Sequence, residues 1–247
     1  MIDIQTHFVF PTHAVSPAGP LPADGERWSL NTSDGARLSG IHFPPGDPGS
    51  VVELILGFGG NGWNGQDVAE YLHNLYPAAH VVAFHYRGYR PSTGTPSAAA
   101  LIDDSPLIFD LAVKRLKPGK VFAAGFSIGS GIAAQLSAKR DLDGMLLVTP
   151  FDSLKSVAQS FYPWLPIAPF FHHEIDAASA LVGSKTAVAI LAGANDEIVA
   201  TERTDALRKR TPNLVFDGTI AGAGHNDIYA RSDFQQAMKE ALIALGG

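Results

Sequence analysis

The chain has 247 residues, of which 46% are hydrophobic and 17% charged, enough for one sizeable α/β domain with a buried core. Its net charge of −6 and the lack of a basic block argue against nucleic acid as a partner. Because there is no cysteine, disulfides, thiolate catalysis and cysteine-based metal sites are excluded.

The sequence also carries no targeting or membrane signal that we can identify. No apolar stretch is long enough to span a bilayer, and the first twenty residues have neither a basic start nor a sustained apolar core. We therefore expect a cytoplasmic protein. Nothing in the pattern predicts an oligomeric state.

The N-terminal part is predicted to be an extended lead-in, residues 1–25, since residues 11–25 are rich in Pro, Ala and Gly. The main domain is predicted to cover residues 26–247. It begins with a hairpin, because the turn dipeptide Asp34-Gly35 separates Trp28–Asn31 from Ala36–Phe43. A Pro-rich loop at 44–48 follows.

Short apolar runs then recur at helix-length intervals. Their continuous apolar character suits strands buried on both faces of a parallel sheet, and strand–helix alternation predicts a doubly wound, mostly parallel α/β sheet. Ligands in such sheets bind at the carboxyl ends of the strands. The predicted strands are Val51–Gly57, Val81–Tyr86, Val121–Phe126, Met145–Thr149, Ala187–Ala192 and Leu214–Thr219.

Residues 151–182 interrupt this rhythm with an aromatic, proline-broken segment. It is longer than an ordinary connection, and long insertions in compact domains tend to be active-site lids, so we interpret it as a small cap. The alternative is one crossover helix with an irregular loop. His172 and His173 with Glu174 are interpreted as polar cap surface, and no metal site is predicted.

Residues 121–131 form the most informative stretch: an apolar strand, then Gly125-x-Ser127-x-Gly129, then small residues that open a helix. This is the pattern of a nucleophile elbow, in which a sharp turn leaves the serine hydroxyl exposed. The alternatives are a plain glycine-rich turn or a phosphate-binding loop. No Lys follows the glycines, so nucleotide binding is poorly supported.

A serine nucleophile needs a histidine base that is oriented by a carboxylate. Asp196 follows one predicted strand in a turn, and His225 follows the next in a glycine-rich loop. The order Ser127, Asp196, His225 is the order of serine α/β-hydrolases. Asp152, which follows another predicted strand, is kept as the alternative acid.

Acyl transfer also requires an oxyanion hole. One donor is expected to be the backbone N–H of Ile128, the residue after the nucleophile. The second is expected from the glycine-rich loop 57–65, with Gly60 the first choice and Asn61 the next. A glycine-rich hairpin or a phosphate nest is the alternative interpretation of this loop.

These residues give the chain a resemblance to α/β-hydrolases of the Bem46-like group, close to the serine aminopeptidase S33-like hydrolases. The resemblance covers roughly 26–245. The segments that carry it besides the elbow are Thr32–Gly40, similar to the N-terminal hairpin, Tyr86–Ser97, similar to Y-R-G-Y-G-x-S-x-G-x-P-S, Asp196–Val199, similar to D-E-I-V, and Gly224–Asp227, similar to G-H-N-D.

The sequence departs from the family pattern at several positions. Phe58 stands where the family usually has the His of a His-Gly pair, which removes a polar side chain but keeps the backbone donors. Arg90 replaces a common Gly, and Ala200 a common Pro. Asp152 stands where Thr is more frequent, which keeps the alternative acid open.

The resemblance implies hydrolysis of an ester, thioester or amide through an acyl-enzyme, with no cofactor. A carboxylesterase for short or medium apolar acyl groups is the first interpretation, followed by a thioesterase or depalmitoylase and then a peptidase. A non-catalytic small-molecule binding module is the alternative of another class. The cap aromatics are candidates for an acyl pocket, which we predict to include Phe58, Phe161 and Trp164.

Overall fold

The computed structural model describes residues 4–46, 53–161, 164, 166 and 170–246. The strands are β1 (Glu26–Asn31), β2 (Arg37–Phe43), β3 (Glu53–Phe58), β4 (His80–Phe84), β5 (Lys120–Phe126), β6 (Gly144–Val148), β7 (Ala187–Gly193) and β8 (Leu214–Ile220). The helices are α1 (Ile4–Val9), α2 (Gly65–Leu75), α3 (Ala98–Leu116), α4 (Ile128–Ser137), α5 (Leu154–Phe161), α6 (Ala177–Ala180), α7 (Thr201–Arg208) and α8 (Ser232–Ala244), with a 3₁₀ turn at Ile228–Ala230.

The eight strands form one sheet in the order β1-β2-β4-β3-β5-β6-β7-β8. Strand β2 pairs antiparallel with β1 and with β4, and every pair from β4 through β3 to β8 is parallel. The predicted doubly wound, mostly parallel α/β fold is therefore confirmed. The predicted hairpin is β1–β2, and Gly35 takes the positive φ of +88° at its turn.

The two faces of the sheet each carry a hydrophobic cluster, which explains the continuous apolar runs. In β5, Val121 and Ala123 pack on one face while Phe122 and Phe126 pack on the other. The predicted strands match the observed ones within two residues at the described ends, and Val51 and Val52 lie outside the described residues. Strand β8 differs, because it lies at the sheet edge, where half-buried residues alternate with exposed ones and only Ile220 is buried.

The N-terminal segment departs from the predicted extended conformation at one place. Residues Ile4–Val9 form helix α1, and Phe10 behind it is fully buried. Further along, the backbone carbonyls of Ser16 and Gly19 accept hydrogen bonds from Asn64 Nδ2 and Gln66 Nε2 at 3.1 Å each. The segment is thus held against the start of α2.

The inserted segment 151–182 leaves the sheet after β6 and returns before β7. Its two ends meet, since Ser153 and Asp176 form an antiparallel bridge and Leu154 N–H donates to the Ile175 carbonyl at 3.0 Å. Helices α5 and α6 lie within it. Among the residues that the structure describes, no helix has both the length and the apolar character needed to cross a membrane.

Candidate active site

Ser127 occupies a strained turn between β5 and α4. Its φ of 50° and ψ of −117° lie in a region that L-residues rarely adopt. The turn leaves no room for side chains beside it: a Cβ at Gly125 would meet the Gly129 carbonyl oxygen at 2.4 Å. The glycines of the motif are therefore required by close backbone approach.

The structure brings Ser127, His225 and Asp196 into one chain of hydrogen bonds. Ser127 Oγ lies 3.0 Å from His225 Nε2, and His225 Nδ1 lies 2.9 and 2.8 Å from the two carboxylate oxygens of Asp196. The side chains of His225 and Asp196 are 7% and 4% exposed. This geometry lets the carboxylate fix the imidazole, with Nε2 directed at the serine hydroxyl.

Two turns hold the carboxylate and the imidazole in place. Asp196 Oδ1 accepts from the backbone N–H groups of Ile198 and Val199 at 2.9 and 2.7 Å. Glu197 Oε2 accepts from the backbone N–H of His225 at 3.1 Å and so ties the two turns together. This contact of Glu197 was not anticipated, because no motif reports which loop its side chain faces.

Asp152, the alternative acid, contacts Arg203 and not the candidate histidine. Its Oδ2 is 3.1 Å from Arg203 Nη1 in α7, and its Oδ1 is buried without a hydrogen-bond partner among the described residues. Burial raises the pKa of this carboxyl, with the Arg203 charge acting in the opposite direction. His225 Nδ1 lies within hydrogen-bond distance of the Asp196 carboxylate, which can accept its proton, so the geometry favours Asp196 as the acid.

The candidate oxyanion loop lies beside the serine. A Cβ at Gly60 would be 3.8 Å from Ser127 Cβ, so the backbone of Gly60 passes close to the nucleophile. Ile128 is the first residue of α4, where the N–H groups of a helix lack intrahelical partners. Gly60, Asn61 and Ile128 all line the cavity at Ser127.

That cavity has a volume of about 810 Å³ and is lined mainly by apolar side chains. Ser127 and His225 lie in its wall, together with Phe151 and Val157 of the inserted segment and Tyr229 of the 3₁₀ turn. Burial raises the pKa of Tyr229 to about 12, so its hydroxyl stays neutral. An apolar wall around a few polar groups is the usual character of a small-molecule site.

The three predicted pocket residues have different positions. Phe161 lines the cavity with 51% of its surface exposed, and Phe171, another aromatic of the same segment, lines it as well. Phe58 does not line it, because it ends β3 within the hydrophobic core. Trp164 is 79% exposed and is not among the described lining residues. Tyr162, another aromatic of the segment, lies outside the described residues.

Helix α1 supplies a wall that the sequence analysis did not anticipate. Gln5, Phe8 and Val9 line the cavity. Gln5 Nε2 donates to the Phe170 carbonyl at 2.6 Å, and Gln5 Oε1 accepts from the His172 backbone N–H at 3.0 Å. Helix α1 therefore forms one wall of the cavity and is hydrogen-bonded to residues 170–172 of the inserted segment.

A second contact strengthens the same junction. Thr6 Oγ1 lies 2.8 Å from His173 Nε2 in a buried position, and the Phe10 ring meets the His173 ring edge-on at 5.4 Å. His173 is therefore a packing residue between α1 and the inserted segment. Within the described part of the chain, no three metal-ligating side chains come together.

Comparison with known proteins places these features in context. No family model matches the chain. An uncharacterized protein of Mycobacterium tuberculosis is 29% identical over 220 residues, covering 85% of this chain and 78% of that protein. The rat lysophosphatidylserine lipase ABHD12 is 33% identical over 97 residues, covering 37% of this chain and only 24% of the lipase.

Solved structures resemble the whole fold at low sequence identity. An α/β hydrolase from Vibrio vulnificus has a TM-score of 0.76 and 19% identity, covering 97% of this chain and 91% of its own. The Pyrococcus furiosus esterase Pf2001 has a TM-score of 0.72 and 18% identity, with coverages of 94% and 96%. The chain therefore has the α/β-hydrolase fold, as predicted. Membership of the Bem46-like group stays a prediction.

Proposed function

We propose that the protein is a serine hydrolase that cleaves carboxylic esters through an acyl-enzyme. The observation that carries this proposal is the hydrogen-bonded series from Ser127 Oγ to His225 Nε2, 3.0 Å apart, and from His225 Nδ1 to Asp196. Ser127 and His225 of this series line the apolar cavity. An esterase and other hydrolases among the proteins of similar fold support the reaction class.

In acylation, Ser127 Oγ attacks the ester carbonyl carbon while His225 Nε2 takes the hydroxyl proton. The negative charge that develops on the carbonyl oxygen is stabilised by the backbone N–H groups of Gly60 and Ile128. His225 then gives its proton to the departing alkoxide as the carbon–oxygen bond breaks. The acyl group stays on Ser127 as an ester.

In deacylation, His225 takes a proton from water, and the resulting hydroxide attacks the acyl-serine carbonyl. The tetrahedral intermediate collapses with release of the carboxylic acid, and the proton on His225 returns to Ser127. Asp196 holds the imidazole in the tautomer that carries its proton on Nδ1, and its negative charge stabilises the imidazolium when Nε2 is protonated as well. No cofactor is needed in either half of this reaction.

The acyl group is assigned to the apolar part of the cavity. Phe151, Val157 and Phe161 come from the segment 151–182, which we propose acts as a cap over the strand ends. The side chains favour a hydrocarbon chain over a charged or peptide group, and we propose acyl groups of short to medium length. The local match to a lysophosphatidylserine lipase is compatible with an ester substrate.

Hydrolysis of p-nitrophenyl acyl esters of graded chain length tests this proposal. We expect wild-type turnover with an optimum at short or medium chains, and loss of turnover in Ser127→Ala. Turnover of acyl thioesters in preference to esters would reassign the substrate class to a thioesterase. The absence of turnover on esters, thioesters and peptides, together with failure of a fluorophosphonate to label the protein, would favour the binding-module alternative.

A further inference from the structure

Two buried tyrosines contact the candidate oxyanion loop from behind. Tyr86 Oη donates a hydrogen bond to the Gly59 carbonyl at 2.8 Å, and Tyr89 Oη donates to the Asn61 carbonyl at 2.5 Å. These two carbonyls flank Gly60. The loop therefore receives one fixed hydrogen bond on each side of its proposed N–H donor.

The first of these contacts acts directly on that donor. The carbonyl of Gly59 and the N–H of Gly60 belong to the same planar peptide unit and point in opposite directions. A hydrogen bond that holds the Gly59 oxygen away from the cavity also holds the Gly60 N–H in its orientation. Hydrogen bonding to the carbonyl additionally polarises the peptide, which makes its N–H a stronger donor.

The tyrosines are themselves held in place. Both are buried, and their rings meet edge-on with centroids 5.7 Å apart. Arg87 between them donates to both carboxylate oxygens of Asp104 in α3, each at 2.7 Å, and also pairs with Asp34 at the hairpin turn. A bidentate pair of this kind fixes geometry as well as charge.

The tyrosine hydroxyls also stay protonated, as a donor must. Burial raises the pKa of Tyr86 and of Tyr89 well above the ordinary value of 10. Their hydroxyls therefore stay protonated at neutral pH and can donate to the Gly59 and Asn61 carbonyls.

From this arrangement we infer that Tyr86 and Tyr89 are positioning residues for the oxyanion hole, with Tyr86 setting the peptide plane that presents the Gly60 N–H. The inference rests on the proposed function, since it assigns a task to a loop within that mechanism. It also gives the segment Tyr86–Ser97 a role that its motif alone does not state. Neither tyrosine is among the residues that line the cavity.

The test compares Tyr86→Phe and Tyr89→Phe with a matched control. Tyr76 is also buried, and its hydroxyl donates to a backbone carbonyl, that of Met238, at 2.7 Å on another part of the molecule. We expect kcat to fall about tenfold in Tyr86→Phe with KM unchanged, less than the roughly 10²–10³-fold cost of removing an oxyanion donor itself. Tyr89→Phe should show a smaller fall, and Tyr76→Phe should keep the wild-type kcat.

A second measurement does not need hydrolysis. The backbone ¹⁵N chemical shift of Gly60 reports the hydrogen bond at the preceding carbonyl, so it should change in Tyr86→Phe and stay constant in Tyr76→Phe. Wild-type values of kcat and of the Gly60 shift in Tyr86→Phe would overturn the inference and leave the proposed function intact. An inactive, unlabelled wild type would contradict the proposed function and, with it, the positioning role of the tyrosines, whatever the Gly60 shift.

Discussion

Gly129 and Phe58 approach each other so closely that a Cβ at position 129 would meet the Phe58 carbonyl oxygen at 2.0 Å. The end of β3 therefore touches the first turn of α4 backbone to backbone. This contact brings the loop after Phe58, which contains Gly60, next to Ser127. The second glycine of the G-x-S-x-G motif thus allows the proposed oxyanion loop to pack next to the nucleophile.

Gly129→Ala tests that relationship. The added methyl group must displace the backbone of β3 or α4, and we expect a loss of about 1–3 kcal/mol in the free energy of unfolding, typical of overpacking, and a large loss of esterase activity. Chemical denaturation and ester hydrolysis measure the two effects. Gly19→Ala is the control, since a Cβ there meets nothing within 4 Å. Equal stability and activity in the two variants would contradict this account.

A pair of amide substitutions distinguishes the two candidate acids, Asp196 and Asp152. In Asp196→Asn the amide oxygen can keep the backbone hydrogen bonds of Asp196 Oδ1, which leaves the amide N–H to donate to His225 Nδ1. The imidazole is then protonated at Nε2 and cannot take the serine proton, so we expect kcat to fall by about 10³–10⁴-fold. In Asp152→Asn the ion pair with Arg203 is lost while the contacts of His225 stay, so kcat should remain near the wild-type value. A larger loss of kcat in Asp152→Asn than in Asp196→Asn would reverse the assignment.

Much of this arrangement could be predicted because it is encoded locally. Apolar runs report burial on both faces of the sheet, and the glycines around Ser127 and His225 report tight turns at strand ends. Ser127, Asp196 and His225 each follow a predicted parallel strand, and the carboxyl ends of such strands lie on one side of the sheet, which predicts that the three residues are close together.

The parts that were missed depend on contacts between distant segments. The pattern around Ile4–Val9 does not show that Gln5 reaches Phe170 and His172, 165 and 167 residues away. Nor does the aromatic character of Trp164 and Phe161 tell which of them faces the cavity and which faces solvent. Tertiary packing decides both.

Helix α1 should set the acyl preference of the proposed hydrolase. Phe8 lines the cavity and is 75% exposed, so Phe8→Ala widens the site without opening a hole in the core. We expect the ratio of kcat/KM for longer over shorter acyl esters to rise by roughly tenfold, as for other changes in apolar pockets. Ile243→Ala, which removes a similarly exposed apolar side chain on α8, is the control. An unchanged ratio in Phe8→Ala would exclude α1 from the acyl site.

Gln5 is one of the side chains that hold the same helix against the inserted segment, which gives a separate prediction. Gln5→Ala removes both hydrogen bonds to the segment 170–172. We expect faster amide hydrogen exchange in α1 and a weaker chain-length preference, with kcat on the shortest ester unchanged. Gln236→Ala, which breaks a surface hydrogen bond to Glu240, should alter neither quantity. Wild-type exchange in Gln5→Ala would show that other contacts, such as Thr6 with His173, hold the helix.

His85 should make stability depend on pH. Burial lowers the pKa of this imidazole to about 4 from its ordinary value of 6.5. Because the folded protein keeps this imidazole neutral, the unfolded chain binds the proton at a higher pH than the folded protein does. The contribution of His85 to the free energy of unfolding is therefore complete above pH 6.5 and is lost as the pH falls towards 4. The loss is on the order of 3 kcal/mol.

His85→Asn checks this assignment, because the Asn oxygen can still accept the hydrogen bond that Gly65 N–H donates to His85 Nδ1. We expect the variant to be less stable than the wild type at pH 7, and its free energy of unfolding to change less between pH 6.5 and pH 4. Urea unfolding at several pH values gives both quantities. A wild-type slope of stability against pH in His85→Asn would refute the prediction.

Covalent trapping of the nucleophile tests the central claim most directly. A fluorophosphonate forms a stable phosphonyl ester with an activated serine, and mass spectrometry of the digested protein locates it. We expect a single label on Ser127 in the wild type, much slower labelling in His225→Gln, and none in Ser127→Ala. Absence of label from the wild type, or its presence on another residue, would contradict the account.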